Sequence, residues 1–220
     1  MSSKKIMTLL SILIPTIPSR AERFTFLYNE VQRQATWINT IHAYPGTVEI
    51  IVNGSDAFLD GGLSIGKKRE DLVNKANGKY LCFLDDDESI APNYLEVLVG
   101  LCRQDMDVCT FRNISKLDNF WMIVDMSLSH SENEQGRHNG IVYRKPWQIC
   151  PVKSEYAKRY AFEDISYGED WKWFEQVLKH CHTEAKTESV IQQYNHSKFT
   201  SEADKITNHV QSELRGETHY

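Results

Sequence analysis

The sequence predicts a single-domain α/β fold, a mostly parallel sheet flanked by helices. Three short apolar runs, TLLSILIP, VEIIVNG and KYLCFLDDD, each close on a turn-former or an acid. Two stretches with helical spacing separate them, giving the order strand, helix, strand, helix, strand. That order calls for parallel pairing with right-handed crossovers. At 220 residues the chain is long enough for one well-buried core.

The first run, roughly Met7 to Ile14, is rich in Leu and Ile and is closed by Pro15. Lysines ahead of it imitate a signal peptide, but no small-x-small cleavage site follows and the run meets Pro15 and Pro18. It is also far short of the ~20 residues of a membrane span. A buried strand, no stable membrane insertion and a cytoplasmic location are therefore expected.

Residues 20–41 put Phe24, Leu27, Tyr28, Val31, Ala35 and Ile38 on one helical face. VEIIVNG is the second strand. SIGKKREDLVNKANG reads as a helix that Gly78 closes as a C-cap, and the third strand follows. Pro92 opens another helix, with Leu95, Leu98, Val99 and Cys102 facing inward. Residues 107–150 read as mixed strand and loop, through DVCTFRN, FWMIVDMSLS and NGIVYRK. ISYGEDWKWFEQVLKHCH is an amphipathic helix entered through Gly168, with Trp171, Phe174, Val177 and Leu178 on its inner face. From Ser201 the chain is polar, without a sustained apolar face, and reads as a tail.

Composition narrows the function classes. Apolar content of 41% with 11% aromatics argues against disorder. A net charge of −5 gives no basic footprint for tight nucleic-acid binding, which leaves nucleic acid only as a transient substrate. Cys82, Cys102, Cys109, Cys150 and Cys181 are odd in number and form no C-x-x-C pair, against a disulfide framework or zinc site. His180, Cys181 and His182 are adjacent in a helical pattern and point in different directions. Buried thiols in a reducing compartment are the plainer reading.

Ligands of parallel α/β sheets bind beyond the carboxyl ends of the strands. The three strands end there in Pro15-Thr16, in Asn53-Gly54-Ser55-Asp56 and in Asp85-Asp86-Asp87. Three carboxylates at one strand end repel each other unless something positive offsets them. A hard divalent cation, Mg²⁺ or Mn²⁺, does so through oxygen ligands and keeps positions open for phosphate. A solvated acidic turn capping the helix at Pro92 is the alternative.

Four landmarks in order now resemble a GT-A glycosyltransferase of the family 2 type. LSILIPTIPSR resembles the opening strand and Pro-Thr turn. GKKREDLVNKANGKYLCFLDDDE resembles the stretch from a Gly and an Arg through an A-x-G-x-Y turn to the D-x-D motif. NGIVYRKPW resembles the acceptor-side segment, and FEDISYGEDWKWFEQV the helix start that supplies a catalytic base. Together they cover about residues 7–178. The resemblance implies a GT-A, Rossmann-like domain over residues 1–200. Its donor half would run from about 5 to 112 and its acceptor half from 113 to 200, with 201–220 as the tail.

What the resemblance implies for the residues follows position by position. Asp85 and Asp86 would lie near the donor ribose, and Asp87, with Asp85, would hold Mn²⁺ or Mg²⁺ on the diphosphate. Arg69, assisted by Lys68, would contact the donor nucleotide or its phosphates, and Pro15 and Thr16 the base. Asp170 would be the general base, with Glu169 beside it. His196 is the candidate for a C-terminal metal ligand, Lys198 for a further phosphate contact, and Asn139 and Gly140 for the sugar pocket.

The chain departs from the family pattern at the end of the second strand. Val52-Asn53 stands where an acid usually recognises uracil, so Asn53 substitutes or Asp56 reaches back. Glu70 replaces the usual Asn after the matched Arg, and no Q-x-x-R-W motif supports a processive synthase.

The expected function is a metal-dependent, inverting, non-processive transfer of sugar from a nucleoside-diphosphate sugar to an acceptor hydroxyl, with a saccharide as acceptor. Trp121, Tyr143 and Trp147 lie in the acceptor half. Three alternatives stand beside it: glycosylation of a modified DNA base by a viral-type enzyme, a nucleotidyltransferase, and an inactive sugar-nucleotide-binding relative.

Overall fold

The computed structural model describes residues 8–41, 47–55, 64–117, 120–131 and 140–196. Strand β1 (Leu10–Pro15) leads through a 3-10 turn (Pro18–Arg20) into α1 (Ala21–Ile41). Then come β2 (Val48–Asn53), α2 (Ile65–Lys75), β3 (Tyr80–Phe83), β4 (Ser89–Ile90) and α3 (Tyr94–Cys102). The second half holds β5 (Val108–Leu117), β6 (Phe120–Met126), β7 (Ile141–Arg144), β8 (Val152–Lys153) and the short α4 (Ser154–Ala157). It ends with α5 (Glu169–Leu178) and β9 (Glu184–His196).

The strands form one sheet in the order β2-β1-β3-β8-β5-β6-β7, and β9 pairs with both β5 and β4. Around β1 the pairing is parallel on both sides, with β2 and with β3, as the strand–helix alternation requires. Beyond β3 the sheet is mixed: β8 joins β3 and β5 antiparallel, β6 pairs β5 antiparallel, and β9 runs parallel to β5.

Helices cover both faces. Phe83 meets Phe162 and Trp173 edge-on at 5.8 and 5.7 Å, which seats α5 on one face. Cys82, the next residue inward on β3, faces Tyr94 of α3 on the other. Gln34 fastens α1 beside α3, donating to the Ala91 carbonyl at 2.9 Å and accepting from the Leu95 N–H at 2.9 Å. All four inward positions expected of α3 are buried, as are Leu27, Val31, Ala35 and Ile38 of α1.

Two details differ from the sequence expectation. Trp171 is 39% exposed, and Trp173 at 2% takes the inner position with Phe174 and Val177. The Trp173 ring stacks on Phe162 at 4.5 Å and its Nε1–H donates to the Tyr160 carbonyl, a fit that Trp171 cannot make from its side of the helix. Nor is Gly78 the cap of α2. Ala76 occupies that position in extended conformation. Gly78 is required by crowding instead: a Cβ there would lie 2.6 Å from the Ser11 Oγ, which accepts the Gly78 N–H at 2.8 Å.

Candidate active site

The carboxyl ends of β1, β2 and β3 lie side by side, as parallel pairing dictates: Pro15 is level with Asn53, and Leu13 with Phe83. Thr16 follows β1 and is buried, and its hydroxyl donates to Asp86 Oδ2 at 2.7 Å. Pro18 starts the 3-10 turn, and that turn brings Arg20 back over the same acid. Arg20 Nη1 lies 2.8 Å from Asp86 Oδ1 and 3.5 Å from Asp87 Oδ2. The buried Asp86 side chain is thus held between a hydroxyl and a guanidinium.

Arg69, on the buried side of α2, joins the acids to the second half of the chain. Its Nε donates to Glu169 Oε1 at 3.1 Å and its Nη2 to Asp85 Oδ1 at 3.0 Å. The guanidinium lies over the Phe83 ring, 4.7 Å from its centroid, and Nη1 is buried without a hydrogen-bond partner. Burial opposes the charge of Arg69, yet the carboxylates of Asp85, Asp170 and Glu169 hold it protonated far above its ordinary range. Gly66 permits the approach of α2. Its N–H donates to the Ile165 carbonyl at 3.0 Å, and a Cβ there would strike the Glu163 carbonyl at 2.0 Å.

Gly168, with φ of +75°, turns the chain into α5. Glu169 is buried against Arg69, its carboxyl pushed up by burial, held back by Arg69 and pushed up again by Asp170. Asp170 is half-buried at the helix N-terminus, where its Oδ1 accepts the Trp171 N–H at 2.8 Å. Such a position stabilises negative charge.

Of the three aspartates Asp87 has the weakest ion pair, 3.5 Å from Arg20 against 2.8 Å for Asp86 and 3.0 Å from Asp85 to Arg69. Burial, then Asp85, raise the Asp87 carboxyl to about 6 against the pull of Arg20. Glu88 turns inward, 5% exposed, and accepts from Gln192 of β9. β9 also reaches the acids through Asn195, whose Nδ2 donates to the Asp87 carbonyl at 3.1 Å. On the α1 side the acids open into a groove of about 330 Å³ lined by residues that include Arg23, Phe26, Asp87 and Ser89.

Aromatic side chains border the site. Tyr167 is 79% exposed and Trp171 39%, on either side of the Gly168–Asp170 segment. The Arg144 guanidinium lies 4.2 Å from the Trp147 ring centroid and 5.8 Å from that of Trp171, and Trp147 packs on Tyr194 at 5.6 Å. Tyr194 feels the charges of Asp85, Glu88, Asp87 and Asp170.

The structure thus gathers Thr16, Arg69, Asp85, Asp86, Asp87, Glu169 and Asp170 around one centre. Lys68 is elsewhere in role: buried, its ammonium donates to the Thr16 carbonyl at 2.7 Å and to the Ser55 carbonyl, tying the ends of β1 and β2 together. Asn53 Nδ2 donates to Asp71 at 2.8 Å while its Oδ1 accepts from Ser55. Gly140 is an exposed turn residue, φ +72°, before β7. Asp56, Asn139 and Lys198 lie outside the described residues, as does the side chain of His196. Arg20, Arg144 and Tyr194 were not singled out from sequence. The PSR of the first landmark was the signal available for Arg20.

Much of the positive charge that three adjacent acids demand comes from Arg20 and Arg69. Among the described residues no three His, Cys, Asp or Glu side chains converge as a ready metal cage. The donor set nevertheless suits a divalent cation shared with a ligand. Asp87 and Asp85 are partly exposed hard oxygen donors, and Asp87 lacks full compensation. Mg²⁺ and Mn²⁺ bind through one or two carboxylates when phosphates and water complete the shell.

Comparison with known proteins bears on the fold that carries these residues. The family described as Glycosyl transferase family 2 matches residues 59–164, which include Arg69 and the three acids. No curated protein matches the sequence. Among solved structures, S. aureus TarS aligns with a TM-score of 0.62 at 16% identity, over 87% of this chain and 37% of that one. S. aureus TarS 1-349 in complex with UDP-GlcNAc aligns with a TM-score of 0.60 at 12% identity, over 90% of this chain and 61% of that one. The likeness is one of fold, and this chain spans less than two thirds of either TarS chain.

Proposed function

We propose that this chain, which has a GT-A fold of the family 2 kind, is a metal-dependent, inverting, non-processive glycosyltransferase. It would move a sugar from a nucleoside-diphosphate sugar to a hydroxyl of a saccharide. The observation that carries the reading is the Arg69 bridge. One guanidinium joins Asp85, of the acids that follow β3, to Glu169, the neighbour of Asp170. Acids suited to a diphosphate and a carboxylate suited to proton abstraction therefore face one site.

In this mechanism Asp170 accepts the proton of the acceptor hydroxyl as that oxygen attacks the anomeric carbon. Attack from the face opposite the departing diphosphate inverts the configuration. Arg69 and Glu169 fix the start of α5, so that Asp170 is held relative to the acids. Mn²⁺ or Mg²⁺, held by Asp87 with Asp85, would offset the charge developing on the leaving diphosphate. The bound UDP-GlcNAc of TarS supports a nucleotide-sugar donor for this fold. The base stays open, because the Asn53 side chain is engaged by Asp71 and Ser55.

Exposed Tyr167 and Trp171 beside Asp170 support a saccharide acceptor, since aromatic faces stack on the apolar faces of sugar rings. DNA as acceptor would instead call for a basic surface around them; beside Trp171 stand Arg144, which also lies over Trp147, and Lys172, which is paired with Glu163 at 2.7 Å. Five buried free thiols fit a reducing cytoplasmic compartment, and no described helix is long and apolar enough to cross a membrane.

Donor hydrolysis and transfer to a panel of glycosides, measured for wild type and Asp170→Asn, test the assignment. Transfer should fall by about 10³-fold or more in the variant while donor binding persists. A folded Asp170→Asn protein that transfers at the wild-type rate would move the base elsewhere, with Glu169 next in line. Trp171→Ala should raise the acceptor KM about tenfold, the worth of roughly 1.4 kcal/mol of stacking, without changing donor hydrolysis.

A further inference from the structure

Resting on the donor site proposed above, we propose that Arg20 is a donor-binding residue that exchanges partners: it holds Asp87 while the pocket is empty and passes to the donor diphosphate when a divalent cation takes that carboxylate. The geometry gives Arg20 two unlike contacts. Nη1 lies 2.8 Å from Asp86 and 3.5 Å from Asp87. The first contact is anchored, because Asp86 is 2% exposed and also held by Thr16 at 2.7 Å. The second is long, to a carboxylate that remains partly open to solvent (side chain 19% exposed).

A divalent cation on Asp87 and a guanidinium beside the same oxygen repel each other, so the weaker contact yields. A diphosphate reverses the sign. It brings enough negative charge for both cations, and Arg20 offers planar N–H donors suited to phosphate oxygens. Arg20 is well placed for the exchange. It ends the 3-10 turn directly after β1, with its N–H donating to the Ile17 carbonyl at 3.0 Å, and its side chain is 23% exposed over the strand ends. The cation and the guanidinium therefore compete in the empty site and cooperate in the filled one. Metal and diphosphate should each strengthen the binding of the other, as linkage requires.

The test uses the full chain, Mn²⁺ alone and preformed manganese–pyrophosphate, a probe that carries no base. Calorimetric titration compares wild type, Arg20→Gln and Arg20→Lys. Arg20→Gln should bind Mn²⁺ alone at least fivefold more tightly and manganese–pyrophosphate at least tenfold more weakly. Arg20→Lys, which keeps the charge, should bind Mn²⁺ close to the wild-type level and regain part of the pyrophosphate affinity. Thermal midpoints confirm that each variant is folded; if Arg20→Gln is not, Arg20→Lys takes its place, and manganese–pyrophosphate binding by Arg20→Lys equal to wild type overturns the proposal.

Unchanged or weaker Mn²⁺ binding in Arg20→Gln overturns the exchange, as does unchanged manganese–pyrophosphate binding. Absence of Mn²⁺ binding in every protein overturns it together with the metal assignment. Donor hydrolysis by wild type in EDTA would then show that the transferase reading survives on its own.

Discussion

At the scale of single residues, the site depends on arginines that sequence reveals unevenly. Arg69 was legible because it stands a fixed distance ahead of the acids in a recognisable stretch. Its contact with Glu169 crosses 100 positions and was not. Arg20 reaches Asp86 across 66 positions, a pairing that only the parallel placement of β1 beside β3 creates. Trp171 and Trp173 show another limit. A helical pattern accepts either on the inner face, and the Phe83–Phe162 pocket decides for Trp173. Replacing Arg69 by Met should therefore cost about 3–5 kcal/mol, because two carboxylates lose a buried partner. A urea midpoint equal to that of wild type would show that Arg69 is not holding Asp85 and Glu169 together.

At the scale of elements, the parallel strands were readable and β9 was not. EAKTESVIQQYNH is largely polar, and among its described side chains only Ala185, Ile191 and Gln192 are buried. It becomes a strand through pairing with β5 and β4. A charge cluster pins the β5–β6–β9 region. Asp125 is 1% exposed and receives Arg112 Nε at 2.6 Å and Lys186 Nζ at 2.6 Å, with His130 at 3.0 Å. Burial raises its carboxyl, but Lys186, Arg112 and His130 together bring it down to about 2. A depressed folded pKa means that the unfolded chain binds the proton first as pH falls. The stabilisation is complete above the ordinary carboxylate range near 4 and is lost toward pH 2. Wild type should lose about 2 kcal/mol over that window through this residue. Asp125→Asn should be less stable at neutral pH by a similar amount and show a flatter acid limb in denaturant titrations at pH 2 to 5. Parallel limbs for the two proteins would remove Asp125 from this role.

At the scale of the whole molecule, the two halves differ in what sequence alone can show. Residues up to β3 alternate strand and helix, so each connection nearly determines the next and the ligand edge follows. Beyond α3 the sheet is closed by pairings of high separation, β3 with β8 and β5 with β9, that no local pattern encodes. The site lies where the halves meet, because the acids come from the first and Glu169-Asp170 from the second. A ligand that binds there stabilises both together. A nucleoside diphosphate at a hundredfold excess over its Kd should add about 2.7 kcal/mol. For a chain of this size that raises Tm by roughly 5–10 °C. The rise should appear with Mn²⁺ and shrink sharply in EDTA. The base that gives the largest shift identifies the donor family that Asn53 leaves open. Equal shifts in Mn²⁺ and EDTA would mean that Arg20 and Arg69 alone carry the diphosphate. No shift with any nucleoside diphosphate would remove the donor site from this edge of the sheet.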